Sequence, residues 1–574
     1  MRFNTYWTFL LAALRLAHGA TVQLGQTTLT GRLIPIFGQE FFGGIPYAEV
    51  PIGNRRLRPP ALKTSLGVPT FDASGYGPSC MQPGLAASEP ISEDCLTINV
   101  LRPVGTPANA GLPVVRHPKT QLLLNANEQQ MFWTYGGGFD SGQSNIYNGS
   151  GIVGQSVLRG TPVIYVNFNY RIGPLGFPQG QEADNRGALN LGIKDQIAAL
   201  KWVQANIGAF GGDKRKVMAF GESAGAIMTA ILFLNGHMDG LARAAVRVLL
   251  SPGISQTQVN VQILESGSPN TAALFTPERR EISWQDFVGG VSSCASLATS
   301  METFACLRSL PPYSPELLAG YAASLAEEVE EFPWDPVLDG PLGLIPDLPS
   351  VLYAEGRFSK IPFMAGTNLD EGTPLLKSKL YDQTHALFVP SVSPKRLNAS
   401  LDEMFVLYPD DPAQGSPFGT GDETFGLSPE YKRGSAMLND LDFLGPRREF
   451  MKAAAAADVP AYGYHFTQPQ PGVPPQLGVY HSSEIKFVYG APPDPSLPAQ
   501  TLSRIMTDYW ISFAVSLTPN DGRGIGIPRP TWTPWTPASQ RVMQLNAANL
   551  TMVGDDFRAT GTDFINSDPV IWRH

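Results

Sequence analysis

Cysteine and histidine are scarce in this chain of 574 residues, which holds four of the first and seven of the second. Charge is sparse too: charged residues make up 16%, and 41 Lys plus Arg face 50 Asp plus Glu, a formal net charge of -9. With so few cations and no basic stripe, nucleic acid is not an expected partner. Beyond the N-terminus no run of about 18 uncharged apolar residues occurs, so no stable membrane insertion is expected. His-Glu-x-x-His and comparable ligand clusters are missing, so no metal and no cofactor is called for. Internal repeats and low-complexity linkers are also lacking. The 43% hydrophobic content suffices for a large core, and one domain over residues 20–574 is expected. The Pro-rich stretches at 469–475 and 528–537 read as surface excursions. Oligomeric state is left open.

Residues 1–19 read as an export signal. Arg2 gives the positive start, Tyr6 to Ala13 an apolar run broken later by Arg15, and Ala17-His18-Gly19 a small-x-small cleavage site. The mature product is expected outside the cell. Cys80, Cys95, Cys294 and Cys306 suit that route as two local pairs, although three pairings are formally possible. Asn148, Asn398 and Asn549 each open an Asn-x-Ser/Thr acceptor triplet for N-glycans.

The alternation and glycine turns of Val22 to Val50 predict short antiparallel strands. A buried strand is expected over Thr161 to Asn167. The spacing of Leu189, Ile193, Ile197, Leu200 and Val203 predicts a helix over 188–207. A short strand over Val217 to Phe220 and a helix over Ala224 to Leu234 follow. Alternation of this kind predicts an α/β fold with a large, mostly parallel central sheet flanked by helices.

Between that last strand and helix stands Gly221-Glu222-Ser223-Ala224-Gly225, a G-x-S-x-G. Small flanking residues allow a sharp turn that exposes the serine hydroxyl, and the helix N-terminus favours a developing anion. Upstream, Tyr135-Gly136-Gly137-Gly138-Phe139 carries three glycines, which lose much backbone freedom on folding. Close approach of backbone N–H groups to a ligand oxygen is a reason to keep them. The donors would be Gly137 and Gly138, joined by the N–H of Ala224.

A nucleophilic serine needs a base. His18 leaves with the signal, His574 ends the chain, and His117 lies in a segment at odds with its surroundings. His237 falls only fourteen residues past the serine, and His385 in a poorly patterned segment. His465 sits within the strand-like Tyr462 to Phe466, as a core imidazole would. His481, in a loop after a Pro-Gly-rich excursion, is the favoured base and His465 the runner-up. The orienting acid should lie between serine and histidine. Asp370 and Glu371, after the predicted strand Ile361 to Ala365, both qualify, and nothing in their chemistry separates them. Asp339 is a third candidate, in a context that reads more readily as a tight turn.

Taken together, the stretch Glu93-Asp94-Cys95-Leu96-Thr97-Ile98-Asn99-Val100, the Gly136–Phe139 loop, Gly221–Gly225, Asn368–Gly372 and Gly478–His481 resemble the type-B carboxylesterase/lipase family. The match spans nearly the whole mature chain. It implies the α/β-hydrolase fold and ester cleavage by Ser223, His481 and Glu371, with a small-molecule ester as substrate. It aligns the family's acid on Glu371 and its disulfides on Cys80–Cys95 and Cys294–Cys306. Only 14 residues separate Cys80 from Cys95, and no Trp lies among them. The resemblance is therefore to a carboxylesterase for soluble or moderately apolar esters rather than to a large-lidded lipase or a cholinesterase. A lipase on long-chain acylglycerols and a pathway-specific esterase or transacylase are the alternatives; a non-catalytic adhesion-type relative would have lost residues that this chain keeps.

Two segments depart from the family pattern. Val114 should run almost directly into Phe132-Trp133-Thr134-Tyr135, yet residues 115–130 intervene. Leu241–Ala245 should run into Ile263–Gly267, yet residues 246–262 intervene. Both inserts begin Val-Arg and end in Gln, codons that can carry the GT start and AG end of an intron. They read as retained introns translated in frame, and an insert in the strand feeding Gly136 would be expected to displace the oxyanion donors.

Overall fold

The computed structural model describes residues 19–86, 88–108, 128–238, 261–327, 333–376 and 394–574. The export signal through His18, with His117, His385 and most of both inserts, lies outside them.

One sheet of eleven strands organises the chain. In chain order its strands are β1 (Arg32–Ile34), β2 (Gln39–Pro46), β3 (Thr97–Pro103), β4 (Glu128–Thr134), β5 (Val163–Phe168), β6 (Gly212–Glu222), β7 (Val261–Glu265), β8 (Phe363–Asn368), β9 (Ala461–Phe466), β10 (Arg541–Leu545) and β11 (Thr551–Gly554). Across the sheet the order is β1-β2-β3-β5-β4-β6-β7-β8-β9-β10-β11. From β5 to β10 neighbours pair in parallel, and the strands at both margins pair antiparallel. Residues 21–24, 27–30 and 70–72 form a separate three-stranded sheet. This is the expected α/β-hydrolase architecture.

The central strands explain themselves. Val163-Ile-Tyr-Val-Asn-Phe168 is buried at every position, as a parallel strand covered on both faces must be. Among the helices are α1 (Leu191–Asn206), α2 (Ala224–Ile231), α3 (Gly445–Ala456) and α4 (Leu497–Ser516). All eight residues of α2 are buried, so the helix that follows Ser223 is held by core contacts. The Trp133 ring of β4 meets Phe220 of β6 edge-on at 4.8 Å, locking these two strands together beneath the site.

Cys80 is bonded to Cys95 and Cys294 to Cys306. Asn148, Asn398 and Asn549 are all exposed, Asn398 on the helix Pro394–Leu407.

The inserts require a correction. The expected displacement of the oxyanion strand is not seen, because the last residues of each insert enter the sheet. Gln129 and Gln130 pair with Val163 and Ile164 in β4, and Gln262 pairs with Ala219 and Phe363 in β7. The register downstream is thereby kept. Gln262 is fully buried, and neither its amide oxygen nor its nitrogen has a hydrogen-bond partner. Such burial costs roughly 1–3 kcal/mol on the scale of protein substitutions.

Candidate active site

Parallel strands deliver the candidate residues at their C-terminal ends, where open α/β sheets hold ligands. β6 ends at Glu222, and Ser223 turns the chain into α2 at φ 55° and ψ -130°. A left-handed serine is strained, and its surroundings hold it there. Its N–H donates to Glu265 O at 2.9 Å, and its carbonyl accepts from Ile227 N–H at 2.9 Å. The flanking glycines are required by contact: a Cβ on Gly225 would lie 2.1 Å from Thr134 O, and one on Gly136 2.7 Å from the Ser223 Cβ. Ser223 itself is only half-buried.

After β4 the chain turns through Gly137 and Gly138 at φ 110° and 61°. The carbonyl of Gly137 accepts from Ser141 N–H at 3.0 Å and Ser141 Oγ at 2.9 Å, which closes the turn. The N–H groups of Gly137 and Gly138 have no backbone acceptor among the described residues.

His481 Nδ1 lies 2.6 Å from Glu371 Oε2. The other Glu371 oxygen accepts from Ser266 Oγ at 2.7 Å and Asn368 N–H at 2.5 Å, and the Glu371 N–H donates to Asn439 Oδ1 at 2.9 Å. The carboxylate is thus buried and fixed on both sides. Phe443 packs against the imidazole at 4.9 Å. Glu222 places an oxygen 3.2 Å from His481 Nε2 and also accepts from Ser482 Oγ.

The neighbouring carboxylate does something else. Asp370 accepts from Ser416 Oγ and Phe418 N–H at 2.8 Å each and from Val479 N–H at 2.9 Å. Its own N–H donates to Val479 O. It ties the histidine loop to a distant turn and does not meet the imidazole. Asp339 closes a turn, accepting from Ile345 N–H at 2.7 Å and Asn190 Nδ2 at 3.0 Å. His465 in β9 packs on Phe557, and burial together with the Arg447 guanidinium pushes its pKa down to about 3. His237 follows α2 in a turn bonded to Leu234 O, and His574 is buried where the chain ends.

Three glutamates act on the imidazole electrostatically. Burial works against its charged form, but Glu222, Glu371 and Glu484 outweigh that and raise His481 to about 9. Burial, then Glu222 and Glu371, raises Glu484 to about 8. Burial likewise raises Glu222 and Glu265. Burial thus favours the protonated form of these carboxyls, while the charge on those that are ionised favours the protonated ring.

Sequence reasoning gave no role to Glu222, Ser266, Asn368, Asn439 or Glu484. Glu222 lies inside the G-x-S-x-G and Glu484 three residues past His481, so proximity was a usable signal for them. Asn439 carried none. Among the described residues no group of His, Cys, Asp and Glu is arranged to hold a metal ion, and no helix is long and apolar enough to cross a membrane.

Comparison with known proteins follows the same lines. The sequence pattern of the Carboxylesterase family matches residues 19–564. Lipase 1 of Geotrichum candidum is 32% identical, over 98% of this chain and 99% of its own length. Lipase 2 of Diutina rugosa is 32% identical over 97% of each chain, and Secreted lipase 1 of Botryotinia fuckeliana 32% over 92% of this chain and 89% of its own. In fold the chain is similar to the crystal structure of Aspergillus niger EstA, with a TM-score of 0.78 over 97% of this chain and 100% of that one, at 23% identity. The chain belongs to the carboxylesterase family, and it is a secreted hydrolase of carboxylic esters.

Proposed function

We propose that Ser223 is the nucleophile, His481 the general base and Glu371 the orienting acid, acting on short, soluble or moderately apolar esters. The observation that carries the assignment is the 2.6 Å contact of His481 Nδ1 with a buried, doubly held Glu371, together with the strained strand-to-helix turn at Ser223.

The chemistry follows. His481 takes the Ser223 proton as the oxygen attacks the ester carbonyl, and the N–H groups of Gly137, Gly138 and Ala224 receive the oxyanion. The tetrahedral intermediate collapses, and the alcohol leaves with the proton from His481. Water, deprotonated by the same imidazole, then releases the acid. Glu371 keeps Nδ1 protonated and stabilises the imidazolium.

Preference for small esters is supported by the Cys80–Cys95 loop. Besides being short, it is fixed at both ends. Glu93 receives a two-pronged Arg56 guanidinium at 2.6 and 2.8 Å in the interior, and Ser79 Oγ donates to Gln143 Oε1 at 2.6 Å. A wall so anchored has little freedom to swing aside for a lipid surface.

The test is hydrolysis of p-nitrophenyl esters from acetate to palmitate, with Ser223→Ala as control. Turnover peaking at short chains and lost in the variant, by at least about 10⁴-fold, is the expected outcome. A peak at long chains that jumps above the solubility limit would make the enzyme a lipase. Undiminished turnover in Ser223→Ala would overturn the assignment of the serine.

A further inference from the structure

Gln82 lies two residues past Cys80 and is almost fully buried. Its side-chain amide bonds both backbone groups of Gly142: Nε2 donates to Gly142 O at 2.8 Å, and Gly142 N–H donates to Oε1 at 2.9 Å. The side chain does for Gly142 what the peptide of a neighbouring strand would do. Nε2 also reaches Cys80 O at 3.2 Å, which orients the amide from its own loop.

Gly142 is the return end of the turn that begins at Gly136. Its φ is 123°, and a Cβ there would meet Gly136 O at 2.7 Å, so the two backbones are in direct contact. Between them lie Gly137 and Gly138. The turn is held from other sides by Gly173 N–H on Phe139 O at 2.7 Å and Tyr321 Oη on Asp140 O at 2.5 Å. Gln82 is the hold that comes from the disulfide loop.

We propose that Gln82 is a positioning residue for ester hydrolysis: by clamping Gly142 it sets the direction of the Gly137 and Gly138 N–H groups toward the oxyanion. This rests on the oxyanion assignment made above. Donor direction matters most where charge develops, so loosening the turn acts on the transition state more than on substrate binding.

The test compares Gln82→Met, which keeps shape without hydrogen bonds, with Gln82→Glu, which keeps an acceptor but no donor. With p-nitrophenyl butyrate, Gln82→Met is expected to lower kcat roughly 10- to 100-fold and leave KM within about twofold. Affinity for a butyl trifluoromethyl ketone, which captures Ser223 as an oxyanion adduct, should fall by the same factor. Gln82→Glu should fall between the two. Unchanged kcat and ketone affinity in a folded variant, or a change in KM alone, would overturn the proposal while leaving the Ser223 control intact. A Ser223→Ala enzyme that still turned over would instead sink the reading beneath it.

A different observation carries a second inference. Gln262 occupies a central strand with both amide atoms unpartnered, on the face of the sheet that Ala219 and Phe363 share. Removing residues 246–262 joins Ala245 to Ile263 and puts an alanine in that place. Removing residues 115–130 joins Val114 to Met131 and puts a valine where Gln130 pairs with Ile164 and Val217. Both excisions replace a core glutamine by an apolar residue in unchanged register. We infer that both segments are retained introns and that the natural chain, export signal included, has 541 of the 574 residues. Reads of mature messenger RNA should cross both junctions without the inserts, and the 541-residue protein should melt well above the 574-residue one. Mature transcripts that keep both segments, or a shorter protein that melts lower, would overturn it.

Discussion

The two sides of the site are built from different materials. On the Ser223 side, backbone does the work: glycines at 136, 137, 221 and 225 let strands and turns meet at distances no side chain permits. On the acid–base side, side chains do it: Glu371 and Glu222 meet the imidazole, and Ser266 and Asn439 hold Glu371 in turn, from four separate places along the chain. The first kind of site is local in sequence and intolerant of added atoms. The second is scattered, and it tolerates changes of shape better than changes of charge.

That contrast can be broken at several points. The largest effect should come from Gly225→Ala, whose methyl would sit 2.1 Å from Thr134 O. Loss of folded protein, or more than about 4 kcal/mol in denaturant unfolding, is expected; a normal melt would show that backbone proximity is not what fixes the nucleophile side. Next is Glu371→Gln, which keeps the shape and removes the charge beside His481. It should lower kcat about 10³- to 10⁴-fold with little change in unfolding, as read by ester hydrolysis and calorimetry.

Asp370→Ala sharpens the contrast within the acid–base side. Three hydrogen bonds to a buried carboxylate are lost, so stability should fall by about 2–4 kcal/mol, while kcat of the folded enzyme stays within about tenfold of the parent. The smallest effect is on pH dependence. His481 acts as a base only when neutral, and its pKa stands at about 9, so kcat/KM should rise with pH through the neutral range toward that value. Glu222→Gln removes a negative neighbour that raises it, so the acid limb should move to lower pH. A limb unmoved in that variant would detach Glu222 from the imidazole.

Legibility in the sequence followed the same division. The G-x-S-x-G and the triple glycine were read at sight, because their chemistry lies in consecutive residues. Secondary structure was read nearly as well: the helix expected over 188–207 runs from Leu191 to Asn206, and the strand expected over 161–167 from Val163 to Phe168. The strand expected at Val217–Phe220 extends over Gly212–Glu222, its polar start Asp213-Lys214-Arg215 having hidden it. The choice between Asp370 and Glu371 could not be made from spacing, since a one-residue step reverses which way a side chain points after a strand. The resemblance puts the acid on Glu371, and Asp370 is engaged instead by the 416–418 turn and the histidine loop. Nothing in the local pattern distinguished Gln82 from an ordinary loop amide, for its partner Gly142 lies sixty residues away.

The left-handed backbone of Ser223 has one more consequence. A residue other than glycine is disfavoured at φ 55° and ψ -130°, so the native fold carries a local strain of order 1–3 kcal/mol at the residue proposed as nucleophile. Replacing that serine by glycine should therefore give a dead protein that outlasts the living one on heating, whereas alanine gives a dead protein with no such gain. Durability and reactivity compete here at a single α-carbon.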